Sequence, residues 1–401
     1  MIRNLTKVAV FAALFGTSFA VLLCSCDWPY TPQQQVQPMA NSQSQGPLKV
    51  YAINTGKQVC NPSITQDDVN YPACMLWLGF GGELVVKSPA PAGYWTTGVV
   101  AHDRLTISDT ANVVKWFIMR HDVGITGQIQ DPEWSTHPDY IACLGQVSSN
   151  VWDGKVVRIS DKAYLKFNDG KLDEISTPHI RVPDSVRSSG TANNPQWNAE
   201  NGFVDRESIR EFFGTYDVVI AYTRNENGMT LYYIDYNETN PAPVRLLKPA
   251  DKQTWKAESP LISPDGKWVA YNCYENTEHY YAYIQELSPA STPYLVEDGG
   301  CDPHWWIHPA DRSLLFIVYA RLTGAYYTKE DYLDATVQRT ASAGVTVKQQ
   351  VKLFAGLPAH AGLQFIGVPQ VIAPLPFKGG MSRDGRYLST GYAGAYLMKL
   401  E

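Results

Sequence analysis

The chain has 401 residues, with 33 lysines and arginines against 39 acids and a formal net charge of −6. Its basic residues form no dense cluster, so nothing in the sequence offers a hold for a phosphate backbone, and nucleic acid is excluded as an expected partner. Twenty-four Tyr, eleven Trp and thirteen Phe, with few amphipathic runs beyond the first residues, favour β structure over helix.

Residues 1–26 read as a targeting segment. Arg3 and Lys7 give a positive start, and the apolar stretch 8–23 is short for a membrane span. Leu23, Cys24, Ser25 and Cys26 then resemble the lipobox of bacterial lipoproteins, in which a cysteine after a small residue becomes the acylated N-terminus. Cys26 fits that pattern better than Cys24, because Ser25 precedes it. The resemblance implies anchoring in a bacterial envelope membrane, on its periplasmic or exposed side. Residues 27–47 are rich in Pro, Gln, Ser and Asn, as a tether is. The folded domain is expected over 48–401.

Five cysteines remain in this export-competent chain. Cys60 and Cys74 flank one loop and are expected to pair, with Cys273 and Cys301 the next pair. Cys143 sits in an apolar run and reads as a buried, inert thiol.

Along the chain an acid or amide followed by proline, usually with a tryptophan next, opens successive β runs: Asp131 to Trp134, Asn194 to Trp197, Glu258 to Leu261, and Asp302 to Trp305. Ser382 to Gly385 is a weaker copy. Units of tens of residues with strand signals in each mean a propeller or another repeat array. The 263 unit is clearest. Ser263, Pro264, Asp265 and Gly266 make a turn whose Pro presets φ and whose Gly takes a positive one. Alternating runs at 267–272, 279–287 and 294–297 complete a four-stranded blade. Two helical insertions are expected, at 205–213 between Asp205 and Gly214, and at 328–338.

The 263 unit resembles the repeat of TolB-type β-propellers, a resemblance that extends over roughly the last two-thirds of the chain. It implies an all-β, six-bladed β-propeller of four-stranded antiparallel blades, at about sixty residues a blade. The weakest blade falls at 104–129, with 55–98 as an insertion. The final blade lacks an outer strand, and 50–53 is the β run expected to supply it and close the ring.

Gly-x-Ser-x-Gly is absent, and no hydrolase domain is expected after the last blade. His304 and His308 stand four apart, which on a strand is about 13 Å, too far for one metal ion. His137 and His308 each precede a proline and read as turn residues. Asp131, Glu133, Asn194, Gln196, Glu258, Asp302 and His304 are expected at one mouth of the central channel, the usual ligand position of propellers. The tryptophans are expected to pack between blades. The expected role is non-catalytic binding of an envelope protein or a glycan, without cofactor or metal. The alternative is an enzyme acting on oligosaccharides, a lyase or glycosidase, which would need two carboxylates about 5 to 10 Å apart across the mouth, or several His converging on a metal ion.

Overall fold

The computed structural model describes residues 49–399 apart from 55–58, 80–88, 96–101, 150, 169–174, 188, 193–194, 227, 276–279, 308, 310–311, 313–314, 322–343, 354–362, 367–369, 374–378 and 391–394. The targeting segment with Cys26, the tether and the 328–338 helix therefore lie outside the described residues. Among the described residues no helix is long and apolar enough to cross a membrane.

β1 (Lys49–Ala52) is followed by five sheets that each rise and fall as an antiparallel meander. The first holds β2 (Val59–Ile64), β3 (Met75–Gly79), β4 (Arg104–Ser108) and β5 (Val114–Met119). In the second are β6 (Ile129–Trp134), β7 (Tyr140–Ser148), β8 (Val151–Arg158) and β9 (Tyr164–Lys166). The third runs β10 (Ile175–Arg181), then α1 (Arg206–Phe213), then β11 (Val219–Asn225), β12 (Met229–Asp235) and β13 (Val244–Arg245). β14 (Lys256–Ile262), β15 (Trp268–Tyr274), β16 (Tyr280–Glu286) and β17 (Tyr294–Asp298) form the fourth. The fifth has β18 (Gly300–Ile307), β19 (Leu315–Arg321), β20 (Gly344–Leu353) and β21 (Leu363–Ile366), with β22 (Gln370–Ala373) also on β20. β23 (Tyr387–Thr390) and β24 (Tyr396–Lys399) end the chain in a three-stranded sheet, whose third member is β1, pairing Lys49 with Lys399 and Ala52 with Tyr396.

This is an all-β propeller of four-stranded antiparallel sheets. The first strands of the sheets pack in a ring, β2 beside β6, β6 beside β10, β10 beside β14 and β14 beside β18, while β23 lies beside β2. Trp306 Nε1 donates to the Gly385 carbonyl at 2.8 Å, tying the fifth sheet to the last. Six four-stranded blades were expected; instead four sheets have four strands, the fifth has five, and the last has only three, so five blades are complete.

Period-two alternation builds the packing between sheets. On β7, Ile141 and Cys143 face a core shared with the first sheet, whereas Tyr140, Ala142 and Leu144 face one shared with the third. Val269, Tyr271 and Cys273 of β15 face the third sheet, and Ala270 faces the fifth. Ile53, Ile64, Trp77 and Leu397 fill the core between the last sheet and the first.

That alternation also overturns the expected disulfides. Cys273 is a free, buried thiol pointing toward the third sheet, away from the fifth where Cys301 sits. Cys74 is likewise free, and the register sets Cys60 opposite Leu78, four residues along from Cys74 and thus about 13 Å from it. Cys143 is fully buried, and burial pushes its thiol up to about 12.

Two further corrections concern boundaries. Residues 104–129 are not a blade of their own: β4 and β5 are the outer strands of the first sheet, and 59–79, read as part of an insertion, supply its inner ones. The Asn194 to Trp197 segment begins no blade. Its described residues, 195–197, lie in the connection before α1, and the third sheet starts instead at β10. α1 itself matches its expected signals, with Asp205 accepting from the Ser208 N–H and Gly214 at φ 76°.

Candidate ligand cavity at the channel mouth

Each of the five inner strands contains a polar residue followed by proline: Asn61 and Pro62, Asp131 and Pro132, Thr177 and Pro178, Ser259 and Pro260, Asp302 and Pro303. In all five the residue before proline takes a positive φ, between 33° and 52°. Proline disfavours the right-handed helical region for its predecessor. At the same point every one of these strands slips register against its neighbour. The bulge breaks the ladder and turns the polar side chain toward the axis. Non-glycine residues held at positive φ carry a cost that the surrounding structure must offset. Here inward hydrogen bonding supplies it.

Those bonds run from sheet to sheet. Asn61 Nδ2 donates to Asp131 Oδ1, and Ser63 Oγ donates to Glu133 Oε1 at 2.6 Å while accepting the Trp134 N–H at 3.1 Å. Thr177 Oγ1 accepts the Ser259 N–H at 3.2 Å. His179 Nδ1 accepts the Ile262 N–H at 3.1 Å, and its other nitrogen donates to the Trp134 carbonyl, so one imidazole stitches three sheets and has its tautomer fixed. Asn272 Nδ2 donates to Asp302 Oδ1 at 3.1 Å and its Oδ1 accepts the Asp302 N–H at 2.8 Å.

The bulges surround an open cavity of about 460 Å³, counted to its solvent-filled mouth. Its polar walls are Asn61, Asp131, Glu133, Thr177, Ser259, Asp302 and His304, and Gly379 is the contribution of the last sheet's segment. Burial pushes the Glu133 carboxyl up to about 8, and Asp131 and Asp302 add to the rise, against the Ser63 hydrogen bond. Burial holds His304 down at about 3, with His179 adding to the effect, and holds His179 down at about 3. Both rings are therefore neutral acceptors or donors near pH 7, and Glu133 is mostly a neutral acid. Among the described lining residues there is no lysine or arginine. Among the described residues no group of three or more His, Cys, Asp or Glu is placed to hold a metal ion.

Of the residues expected at this mouth, the structure brings together Asp131, Glu133, Asp302 and His304. His304 lies within β18. Glu258 is one position too early, and its Oε2 instead accepts from the Tyr274 hydroxyl at 2.8 Å. Gln196 is exposed beside α1, where its N–H bonds Ser208 Oγ. Asn194 lies outside the described residues, as does His308. His137 does stand in a turn, two positions after Ser135, which is the counterpart of Ser263 and Ser382, each donating its N–H to the carbonyl five residues on. Trp134 is buried between the first two sheets, and Trp305 Nε1 reaches the Leu261 carbonyl of the neighbouring sheet at 2.7 Å.

Sequence reasoning missed Asn61, Ser63, Thr177, His179 and Ser259. The signal present was polar residue, proline, any residue, then Ile or Trp, which the five strands share. Insisting on Trp admitted Asn194 to Trp197 and dropped Asn61 to Ile64 and Thr177 to Ile180.

Solved structures similar to the chain include several β-propellers. TolB from Acinetobacter baumannii is 13% identical, with a TM-score of 0.35, covering 67% of this chain and 53% of that one. The β-propeller domain of Myceliophteria thermophila Cps50 (Swd1) is 9% identical, TM-score 0.35, covering 88% and 100%. Prolyl oligopeptidase B from Galerina marginata is 8% identical, TM-score 0.33, covering 84% and 36%. This chain thus spans about half of the TolB chain and about a third of the oligopeptidase. No protein-family model and no curated protein matches it. Likenesses this distant say nothing of activity, and the fold stands on the strand order itself.

Proposed function

We propose that this is a lipid-anchored protein of the bacterial envelope, tethered through Cys26, whose propeller binds the end of an envelope protein or a glycan at the channel mouth without turning it over. The observation that carries the reading is the cavity itself, where inner-strand bulges from five sheets turn acceptor side chains toward one space. Carboxyl, hydroxyl and amide oxygens in a partly enclosed site select ligands rich in hydrogen-bond donors, an ammonium group foremost. We read the last sheet as a sixth blade. The Met381 to Leu388 bridge supplies its inner position and β1 its outer one, so that the N-terminal strand closes the ring.

Titration of the soluble chain 48–401 with an unblocked alanine tripeptide, its acetylated form and chitotriose tests the binding role. At least one should bind, and Asp302→Ala should weaken it tenfold or more. Indifference of the protein to all three, or of the binding to Asp302→Ala, would remove the cavity from consideration.

One observation favours the enzymatic alternative. Glu133, with its pKa raised, stands beside the carboxyls of Asp131 and Asp302, and a glycosidase likewise sets a general acid beside a second carboxyl that serves as nucleophile or base. In that case Glu133→Gln keeps oligosaccharide binding and abolishes cleavage.

A further inference from the structure

The turns that end the inner strands lie on one face of the ring, opposite the mouth. There the third sheet does not return directly to its second strand but runs through residues 182–187 before α1. That segment leaves its own sheet. The His137 ring donates from Nε2 to the Val186 carbonyl at 2.9 Å, in the turn of the second sheet. Arg187 Nη1 donates back to the Asp184 and Val186 carbonyls, holding the loop in a compact bend. Asp184 Oδ2 is ion-paired with Arg383 Nη2, in the turn of the last sheet. The ring order sets the third sheet and the last sheet on opposite sides, three places apart in either direction. A contact between them has to cross the axis.

The cavity lies on the other side of that crossing. Asp131 stands four residues before Ser135, and Ser259 four before Ser263, so the bulges are about 13 Å of strand away from the turns. We propose that residues 182–187 strap the channel shut behind the cavity, making it a blind well that accepts the amino-terminal end of a polypeptide and lets no polymer thread through. The inference rests on the binding role proposed above. A through-channel would suit an extended strand, whereas a closed floor with acceptors around its rim suits a chain end that brings its own donors. Asp131, Glu133 and Asp302 match a terminal ammonium better than a neutral end group.

The experiment uses the full soluble chain carrying Asp184→Cys and Arg383→Cys, bridged with a short bismaleimide; the thiols of Cys74, Cys143 and Cys273 are buried and raised to about 12. The account predicts one intramolecular cross-link in most molecules, seen by mass. It predicts that the locked protein binds the unblocked alanine tripeptide within twofold of the unlocked one, and the acetylated tripeptide at least tenfold more weakly. Failure to cross-link would show that the strap does not span the channel. Loss of tripeptide binding on locking would show that ligand passes the strap, and equal binding of the acetylated form would remove the terminal ammonium. If neither form binds even before locking, the cavity's binding role fails while the cross-link still decides the strap.

Discussion

Glu133 is held between two opposing demands. Its carboxyl accepts from Ser63 at 2.6 Å, which favours ionisation, yet burial and the neighbouring Asp131 and Asp302 push its pKa up to about 8. The folded chain therefore binds a proton that the unfolded chain has released above about pH 4.5, and stability declines as pH rises between the two values. Glu133→Gln keeps an oxygen for Ser63 and removes the titration. Its effect on thermal stability should be near zero at pH 4 and reach a gain on the order of 1–2 kcal/mol at pH 8.5. Melting curves across that range check it, and a uniform shift at all pH values would contradict the assignment. His179 works in the other direction, since it is buried neutral with both nitrogens bonded and protonation below its ordinary range removes an acceptor.

Among the elements, β1 is the one most separated from its partners in sequence. Four residues at the start of the chain pair with β24 at its end, and Ile53 beyond them is fully buried against the first sheet. Without β1 the last sheet would expose β24 as an unpaired edge. A chain begun at residue 54 should lose on the order of 3 kcal/mol relative to one begun at residue 48, and should self-associate. Denaturant unfolding with sedimentation measures both, and equal stability would show that the terminal strand is dispensable. Legibility at this scale followed local signals closely. Ser263 to Gly266, with Gly266 at φ 75°, fixed one hairpin, and the runs around it fell where the alternation put them. Asp205 and Gly214 bounded α1 for the same reason. The first sheet was not legible. Its inner strand lies at Val59–Ile64 and its third at Arg104–Ser108, and the long connection hides the meander from any reading by spacing.

For the whole molecule, the repeat was visible and its phase was not. Proline after a polar residue marks the inner strand in five sheets, but which polar residues face the axis depends on a bulge that no side-chain period announces. Asp131, Glu133, Asp302 and His304 were found because Trp accompanies them or follows closely; Thr177 and Ser259 sit in the same ring beside isoleucine. This ring is proposed to hold a cation-bearing end group. Calorimetric titration of the 48–401 chain with the unblocked alanine tripeptide at pH 7, in buffers of low and high ionisation enthalpy, tests it most directly. Binding beside Glu133 should expel a sizeable fraction of its proton, so the apparent heat should differ between buffers, and the difference should vanish in Glu133→Gln. Heat independent of buffer in the wild-type chain, or proton uptake, would contradict the account.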